Sequence, residues 1–99
     1  MTDLRKLAEG ERCLVRSPLC NNDPATTVLA HYRLVGISGI GMKSPDLLGA
    51  WACSACHDLV DGRLRFPPLT REQCHLLHLE GVVRTQAELI HRGIVRWDV

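Results

Sequence analysis

The clearest alternation of apolar and polar positions lies near the C-terminus. Thr70 and Gln73 have the spacing of a capping box, which marks the start of a helix. Apolar residues then recur at helical spacing, so one face of the predicted helix is apolar. These residues are Leu76, Leu79, Val83, Ala87 and Ile90. Gly93 ends the predicted helix.

The packing of this helix stays open at the level of the sequence. Leu77 and Val82 lie off the apolar stripe. The helix is therefore expected either to be buried on two sides, as in a homodimer formed through it, or to pack within one chain. Gly81 predicts a bend or an interruption. The polar positions of the helix include His75, His78 and His91, and Cys74 is interpreted as a small buried side chain.

The upstream part of the chain shows shorter patterns separated by glycine, proline and asparagine. A β-branched stretch that reaches His31 predicts a strand, and the glycine-rich stretch after it predicts a long loop. Ser54 suits the N-cap of a short helix that Gly62 ends. The predicted elements are a short helix or arm over 2–9, a strand over 26–32, a loop over 36–45, a second strand or extended run over 47–52, a helix over 54–60 and an edge strand over 94–97.

The size of the chain limits its class. Its 99 residues predict a single domain over 1–99. Within it we expect a core over about 10–66 and a helical segment over about 69–99. No apolar run approaches the roughly 18 residues of a membrane-spanning helix, so no membrane partner is expected. The N-terminal segment is charged and lacks an export signal, which predicts a cytoplasmic location.

The charge of the chain is nearly balanced. A formal net charge of +1 neither favours nor excludes nucleic acid, and four thiolates with one Zn²⁺ would bring it to −1. DNA binding would therefore depend on a local basic patch. The candidates flank the cysteines and histidines and are Arg12, Arg16, Arg33, Lys43, Arg63 and Arg65.

Two pairs of cysteines give the strongest chemical signal. Cys53 and Cys56 form a Cys-x-x-Cys pair, and Cys13 and Cys20 form a second pair upstream. One tetrahedral Zn²⁺ can take both thiolates of each pair, which completes a four-cysteine structural site. His57 follows Cys56 directly, so it would be held beside the zinc while remaining available for chemistry.

Three other uses of this motif fit less well. Cys-x-x-Cys-His is also the attachment signature of c-type haem, and Cys-x-x-Cys occurs in thioredoxin-like redox proteins. Haem attachment requires export and leaves Cys13 and Cys20 without a role, while a redox pair would need a βαβ pattern around it. A disulfide framework requires an oxidising compartment. Zinc is therefore the favoured ligand.

The order strand, loop, strand, helix, with one histidine on the first strand and one at the helix start, resembles the ββα-metal core of the HNH endonucleases. The resemblance implies that His31 is a general base and that His57 binds a catalytic divalent cation, Mg²⁺ or Mn²⁺. Asp61 lies one turn after His57 on the same helix face and would support that cation.

The chain is also similar, over nearly its whole length, to the prophage-encoded YbcO-type proteins, a family regarded as HNH-like nucleases. The matching segments are Leu29-Ala30-His31, Pro45-Asp46-Leu47, Ala52-Cys53-Ser54-Ala55-Cys56-His57-Asp58 and Glu80-Gly81-Val82-Val83-Arg84-Thr85-Gln86. Two positions depart from the HNH pattern. Ala30 stands where many of these sites have a further metal ligand, and Asp46 is the nearest match to an expected asparagine and a candidate for the divalent-ion site.

These features together predict an α+β fold, with a small zinc-stapled ββα-metal core and a C-terminal helix. The implied function is metal-dependent hydrolysis of DNA phosphodiester bonds, with branched DNA or recombination intermediates among the candidate substrates. The alternative is a non-catalytic zinc module that binds nucleic acid or protein. Ala30 discriminates between the two, because a nuclease must find its metal coordination elsewhere.

Overall fold

The computed structural model describes residues 2–34, 36–37 and 44–98. Short 3₁₀ turns precede both strands, and residues 38–43 of the predicted glycine-rich loop lie outside the described residues. Within the described residues the arrangement is α+β, as the sequence predicts. Its elements are helix α1 (Leu4–Ala8), a 3₁₀ turn (Pro24–Thr26), strand β1 (Val28–His31), a 3₁₀ turn (Asp46–Leu48), strand β2 (Gly49–Ala52), helix α2 (Ser54–Asp61) and helix α3 (Arg71–His91).

The two strands form an antiparallel pair that carries one of the candidate site residues. Ala30 lies opposite Ala50, and His31 lies opposite Gly49. Both strands are shorter than the sequence predicts, because the 3₁₀ turns occupy the first residues of each predicted stretch. The side chain of Asp23 stabilises the first turn by accepting a hydrogen bond from the Ala25 N–H at 3.1 Å.

The ends of α2 are set by one unexpected cap and one expected cap. The N-cap is Cys53 rather than Ser54, and its sulfur accepts a hydrogen bond from the Cys56 N–H at 3.4 Å. Gly62 ends the helix with a φ of 85°, a left-handed conformation that favours glycine. The helix therefore begins at a residue of the cysteine motif, which couples its start to the cysteine cluster.

Helix α3 runs without a break through Gly81, so the predicted interruption does not occur. Its N-terminus has the predicted capping box between Thr70 and Gln73. A Cβ atom at position 81 would lie 2.8 Å from Val15 Cγ2 and 3.1 Å from the Ala50 Cβ. Glycine therefore allows the helix to approach β2 and the N-terminal segment closely.

The face of α3 that packs on β2 is not the apolar stripe. The buried residues of the helix are Cys74, His78, Gly81, Val82, Thr85 and Leu89. The large stripe residues face solvent, with exposed fractions of 57% for Leu76, 41% for Leu79, 63% for Val83 and 41% for Ile90. On the buried face, Thr85 Oγ1 accepts a hydrogen bond from the Trp51 N–H at 3.0 Å and donates one to the Gly81 carbonyl at 2.8 Å.

Two buried clusters hold these elements together. The residues of the first are Val15, Ala30, Ala50, Ala52, Cys53, Cys56, Val60 and Val82, and those of the second are Ala8, Leu14, Trp51 and Leu89. Beyond α3, the predicted edge strand over 94–97 does not form. Among the helices of residues 2–34, 36–37 and 44–98, none has the length and apolar character needed to cross a membrane.

Candidate metal centre and active site

The sulfur atoms of four cysteines lie together where the N-terminal segment meets the start of α2. The Sγ atoms of Cys13, Cys20, Cys53 and Cys56 all lie within 4.8 Å of one another. Those of Cys20 and Cys53 are 3.8 Å apart. Tetrahedral zinc with Zn–S bonds of about 2.3 Å places its sulfurs about 3.8 Å apart, so the spacing fits one Zn²⁺. The described residues contain no second cluster of three or more such groups.

The backbone beside these cysteines is shaped to stabilise thiolates. Arg16 and Asn22 have φ values of 57° and 54°, in the left-handed region that non-glycine residues rarely adopt. The N–H of Arg16 donates a hydrogen bond to the Cys13 sulfur and lowers the pKa of Cys13, and the N–H of Asn22 acts on the pKa of Cys20 in the same direction. Hydrogen bonds of this kind favour the charged form of the acceptor.

Hydrogen bonds also link the sulfurs in pairs, Cys13 with Cys56 and Cys20 with Cys53. The Cys56 thiol donates a hydrogen bond to the Cys13 sulfur, which lowers the pKa of Cys13 to about 4 and raises that of Cys56. Burial raises the pKa of Cys20. Ser17 Oγ lies 3.0 Å from the Cys56 sulfur. A divalent cation displaces the protons of the thiols that coordinate it. The four clustered cysteines are therefore positioned to bind a metal ion as thiolates.

His31, at the end of β1, is paired with Asp46 in the turn before β2. The Nε2 atom of His31 and the Oδ1 atom of Asp46 are 2.7 Å apart. This hydrogen bond, and a second from Arg5 Nε at 3.3 Å, lower the pKa of Asp46. An ionised carboxylate only accepts hydrogen bonds, so in neutral His31 the proton lies on Nε2 and Nδ1 keeps its lone pair.

Three of the predicted site residues line one open cleft of about 450 Å³. β1 supplies His31, while α2 supplies His57 from its first half and Asp61 from its last residue. His57 and Asp61 are four residues apart and therefore share a helix face. The cationic side chains that line the cleft are Arg5, Arg33 and Arg63.

Two arginines of the cleft form ion pairs with nearby carboxylates. Arg63 Nε lies 3.0 Å from Asp61, and Arg5 contacts Asp46. Arg33 and Arg63 belong to the basic patch predicted from the sequence, whereas Arg5 does not. Arg5 lies on α1, and only the packing of that helix against β1 brings it to the cleft, so no local signal marks it.

A smaller cavity of about 210 Å³ adjoins the cleft and shares His31, Arg33 and Asp61 with it. His78 lines this cavity from the buried face of α3, and its Nε2–H donates a hydrogen bond to the Ala30 carbonyl at 2.8 Å. Burial lowers the pKa of His78. The ring of Tyr32 meets that of His78 edge-on, with centroids 5.2 Å apart. The sequence predicts only a polar helix position here, but this histidine ties α3 to the residue before His31.

Comparison with known proteins shows the family to which this chain belongs. A family model described as "Putative nuclease YbcO" matches residues 2–94. The chain belongs to the YbcO family. "Putative nuclease YbcO" of Escherichia coli (strain K12) and "Putative nuclease ybcO" of Enterobacteria phage 82 are each 47% identical to it over 98 residues, which is 97% of this chain and 99% of each relative. The resemblance to YbcO-type proteins inferred from the sequence is therefore confirmed.

A solved structure shares the fold of this YbcO family member. It is described as "Structure of a putative bacteriophage protein from Escherichia coli str. K-12 substr. MG1655". The two superpose with a TM-score of 0.78 at 41% sequence identity, over 92% of this chain and 100% of that chain. Both YbcO relatives carry the description "Putative nuclease", and one of them comes from a phage.

Proposed function

We propose that this chain is a metal-dependent endonuclease of the HNH type that hydrolyses DNA phosphodiester bonds. The observation that carries the proposal is the 2.7 Å pair between His31 Nε2 and Asp46 Oδ1, beside a cleft that also contains His57 and Asp61. Such an enzyme needs a general base, a cation site and groups that bind phosphate. Each of these three parts has candidate residues in this chain. The nuclease description of the family supports the same class of enzyme.

His31 acts as the general base in this proposal. Its Nδ1 atom takes a proton from the attacking water, whose oxygen forms the new bond to phosphorus while the leaving oxygen of the DNA strand departs. Asp46 holds the ring through Nε2 and stabilises the positive charge that the imidazole acquires. Asp46 is thereby assigned as a positioning residue, in place of its candidate role as a metal ligand.

His57 and Asp61 would hold the divalent cation, Mg²⁺ or Mn²⁺. A ring nitrogen and a carboxylate on one helix face suit Mn²⁺, and with bound water they also suit Mg²⁺. A cation bound there neutralises charge on the phosphate and on the leaving oxygen. Arg33 and Arg63 bind neighbouring phosphates of the DNA backbone. The four-cysteine site binds a structural Zn²⁺ that positions the start of α2.

A non-catalytic DNA-binding zinc module is the second candidate, and two observations favour it. Ala30 provides no side-chain ligand before His31. Asp61 already forms an ion pair with Arg63 at 3.0 Å, so a cation would have to displace that contact. In this alternative the arginines of the cleft bind phosphates and no bond is broken.

A plasmid-nicking assay distinguishes the two. The zinc-loaded chain should convert supercoiled DNA to open circles with Mg²⁺ or Mn²⁺ and should not do so with EDTA. His57→Ala should reduce nicking, and raised Mn²⁺ should restore part of it, because the proposed loss is in cation binding. His91→Ala is the matched control, since His91 is exposed at the far end of α3.

Substrate choice is tested in the same assay by adding branched junctions beside duplex DNA. Nicking that is faster on junctions would assign recombination intermediates as the substrate class. DNA binding in a gel shift without nicking by any divalent ion would contradict the nuclease proposal and favour the binding module.

A further inference from the structure

The apolar stripe of α3 is a large exposed surface on the molecule. Leu76, Leu79, Val83 and Ile90 are all at least 41% exposed and follow one another along one side of the helix. At 1.5 Å per residue the stripe is about 21 Å long. A shallow groove of about 280 Å³ beside Leu76 and Leu79 continues it. Continuous apolar surface of this kind typically marks a site of interaction with another macromolecule.

We propose that a second copy of this chain covers the stripe, so that two α3 helices pair in an antiparallel homodimer. Leu76, Leu79, Val83 and Ile90 are separated by three, four and seven residues, which is the spacing of a coiled-coil seam. The same patch on two subunits can be self-complementary when a two-fold axis relates them. Val83, in the middle of the stripe, would lie near that axis.

The charges at the ends of the stripe select the antiparallel orientation. Glu72 is exposed in the first turn of α3 and has no ion-pair partner in the part of the chain that the structure describes. Arg96, just beyond the other end, has Asp98 as its acidic partner at 3.7 Å. With Val83 near the axis, Leu76 of one copy lies opposite Ile90 of the other, and Glu72 reaches the segment that carries Arg96.

A parallel pair would lack this complementarity. It would bring Glu72 of one copy beside Glu72 of the other, and like charges repel. It would also align the two helix dipoles in the same direction, whereas an antiparallel pair sets them in opposition. Both effects favour the antiparallel arrangement.

The proposed interface does not cover the candidate active site. The stripe lies on the side of α3 opposite to the face that packs on β2. None of its residues lines the 450 Å³ cleft. Each dimer therefore presents two open clefts, and the inference stands whether or not the clefts cleave DNA.

Sedimentation equilibrium of the full zinc-loaded chain tests the proposal. The native chain should have twice its mass of 11.0 kDa at micromolar concentrations. Val83→Glu should raise the dimer Kd by roughly 100-fold or more while zinc content and circular dichroism stay native. The matched control is Leu64→Glu, which changes an apolar residue that is 43% exposed and lies off the helix. It should leave the dimer intact.

A charge exchange tests the orientation. Glu72→Lys and Arg96→Glu should each weaken the dimer, and the double variant should recover most of the loss. A native chain that stays at 11.0 kDa up to about 100 µM would overturn the proposal, and so would a Leu64→Glu chain that dissociates as readily as Val83→Glu. Charge variants that do not compensate would overturn the antiparallel pairing.

Discussion

His31 is held in place by contacts from three parts of the chain. Its backbone belongs to β1, its ring is paired with Asp46, and the carbonyl of Ala30 before it accepts a hydrogen bond from His78 of α3. A general base works only when its lone pair is directed at the reacting water. The bond to Asp46 directs that lone pair, because it places the proton of the neutral ring on Nε2.

Asp46→Asn should therefore slow cleavage without weakening DNA binding. The amide oxygen can still accept the hydrogen bond, but it is neutral and does not stabilise the imidazolium. We expect kcat to fall by less than the ~10²–10⁴-fold loss that accompanies removal of the base itself, with KM nearly unchanged. Asp46→Glu, which keeps the charge, should recover part of the rate. A rise in KM at native kcat would show that Asp46 acts in binding instead.

The lowered pKa of His78 predicts that the stability of the fold depends on pH. Burial lowers its pKa below the ordinary 6.5, and the charges of His57 and His75 lower it further, while the hydrogen bond to the Ala30 carbonyl and the charge of Asp61 oppose this shift. The unfolded chain therefore takes up this proton at a higher pH than the folded chain does. The free energy of unfolding is therefore at its full value above about pH 6.5, falls as the pH drops below 6.5, and levels off below the folded pKa.

His78→Gln separates this effect from other titrations. The glutamine amide can donate to the Ala30 carbonyl but does not titrate. In urea unfolding, the native chain should lose stability relative to this variant as the pH falls below about 6.5. Bound zinc is measured at each pH, so that acid release of the metal is excluded. A difference between the two chains that stays constant with pH would contradict the assignment.

The elements show which features of a short chain can be predicted from local sequence. The capping box at Thr70 and the glycine stop at Gly62 depend on neighbouring residues, and both are found where the sequence predicts them. The face of α3 that packs on β2 was not predictable from apolar periodicity. Gly81 belongs to this face because it lets the helix approach β2 closely, and Thr85 belongs to it because it accepts a hydrogen bond from the Trp51 N–H. Apolar periodicity instead identified the exposed face.

The candidate site, like the fold, has some features that local sequence predicts and others that it does not. The spacing of the two cysteine pairs predicted a cluster, and the four sulfurs do lie together. The contact between His31 and Asp46 joins residues that are 15 positions apart across a loop, so no local pattern contains it. The same holds for His78, whose partner Ala30 is 48 positions away.

Gly81 sets how closely α3 packs on the rest of the fold. Gly81→Ala should gain roughly 1 kcal/mol from helix propensity but lose about 1–3 kcal/mol from overpacking against Val15 and Ala50. We expect net destabilisation, and more of it for Gly81→Val. Chemical unfolding measures the change, with Glu80→Ala as the control at the exposed neighbouring position. A Gly81→Ala chain more stable than native would contradict the close packing.

In the whole molecule, the cysteine cluster joins parts of the chain that are distant in sequence. It connects the segment around Cys13 and Cys20 to the first turn of α2, which carries Cys56 and His57. The buried clusters consist largely of small side chains, so the apolar core is modest. A metal ion that binds only the folded arrangement would add its binding free energy to the stability of the fold.

Purified protein should accordingly contain about one Zn²⁺ per chain, and a strong chelator should unfold much of it. Cys56→Ser should lose zinc and fold poorly. Cys74→Ser is the control, because Cys74 lies on the buried face of α3 outside the cluster, and it should keep the metal. Metal analysis and circular dichroism measure both effects. A folded chain that never contains zinc would contradict the structural role.

The rate of a single turnover on DNA tests most directly whether His31 is the base of a nuclease. Native chain and His31→Ala are compared at saturating protein with Mg²⁺ or Mn²⁺, after matching their zinc content and thermal midpoints. The native chain should cleave, and the variant should be slower by about 10²–10⁴-fold at unchanged stability. Equal rates, or a variant that loses activity only because it unfolds, would contradict the proposed chemistry.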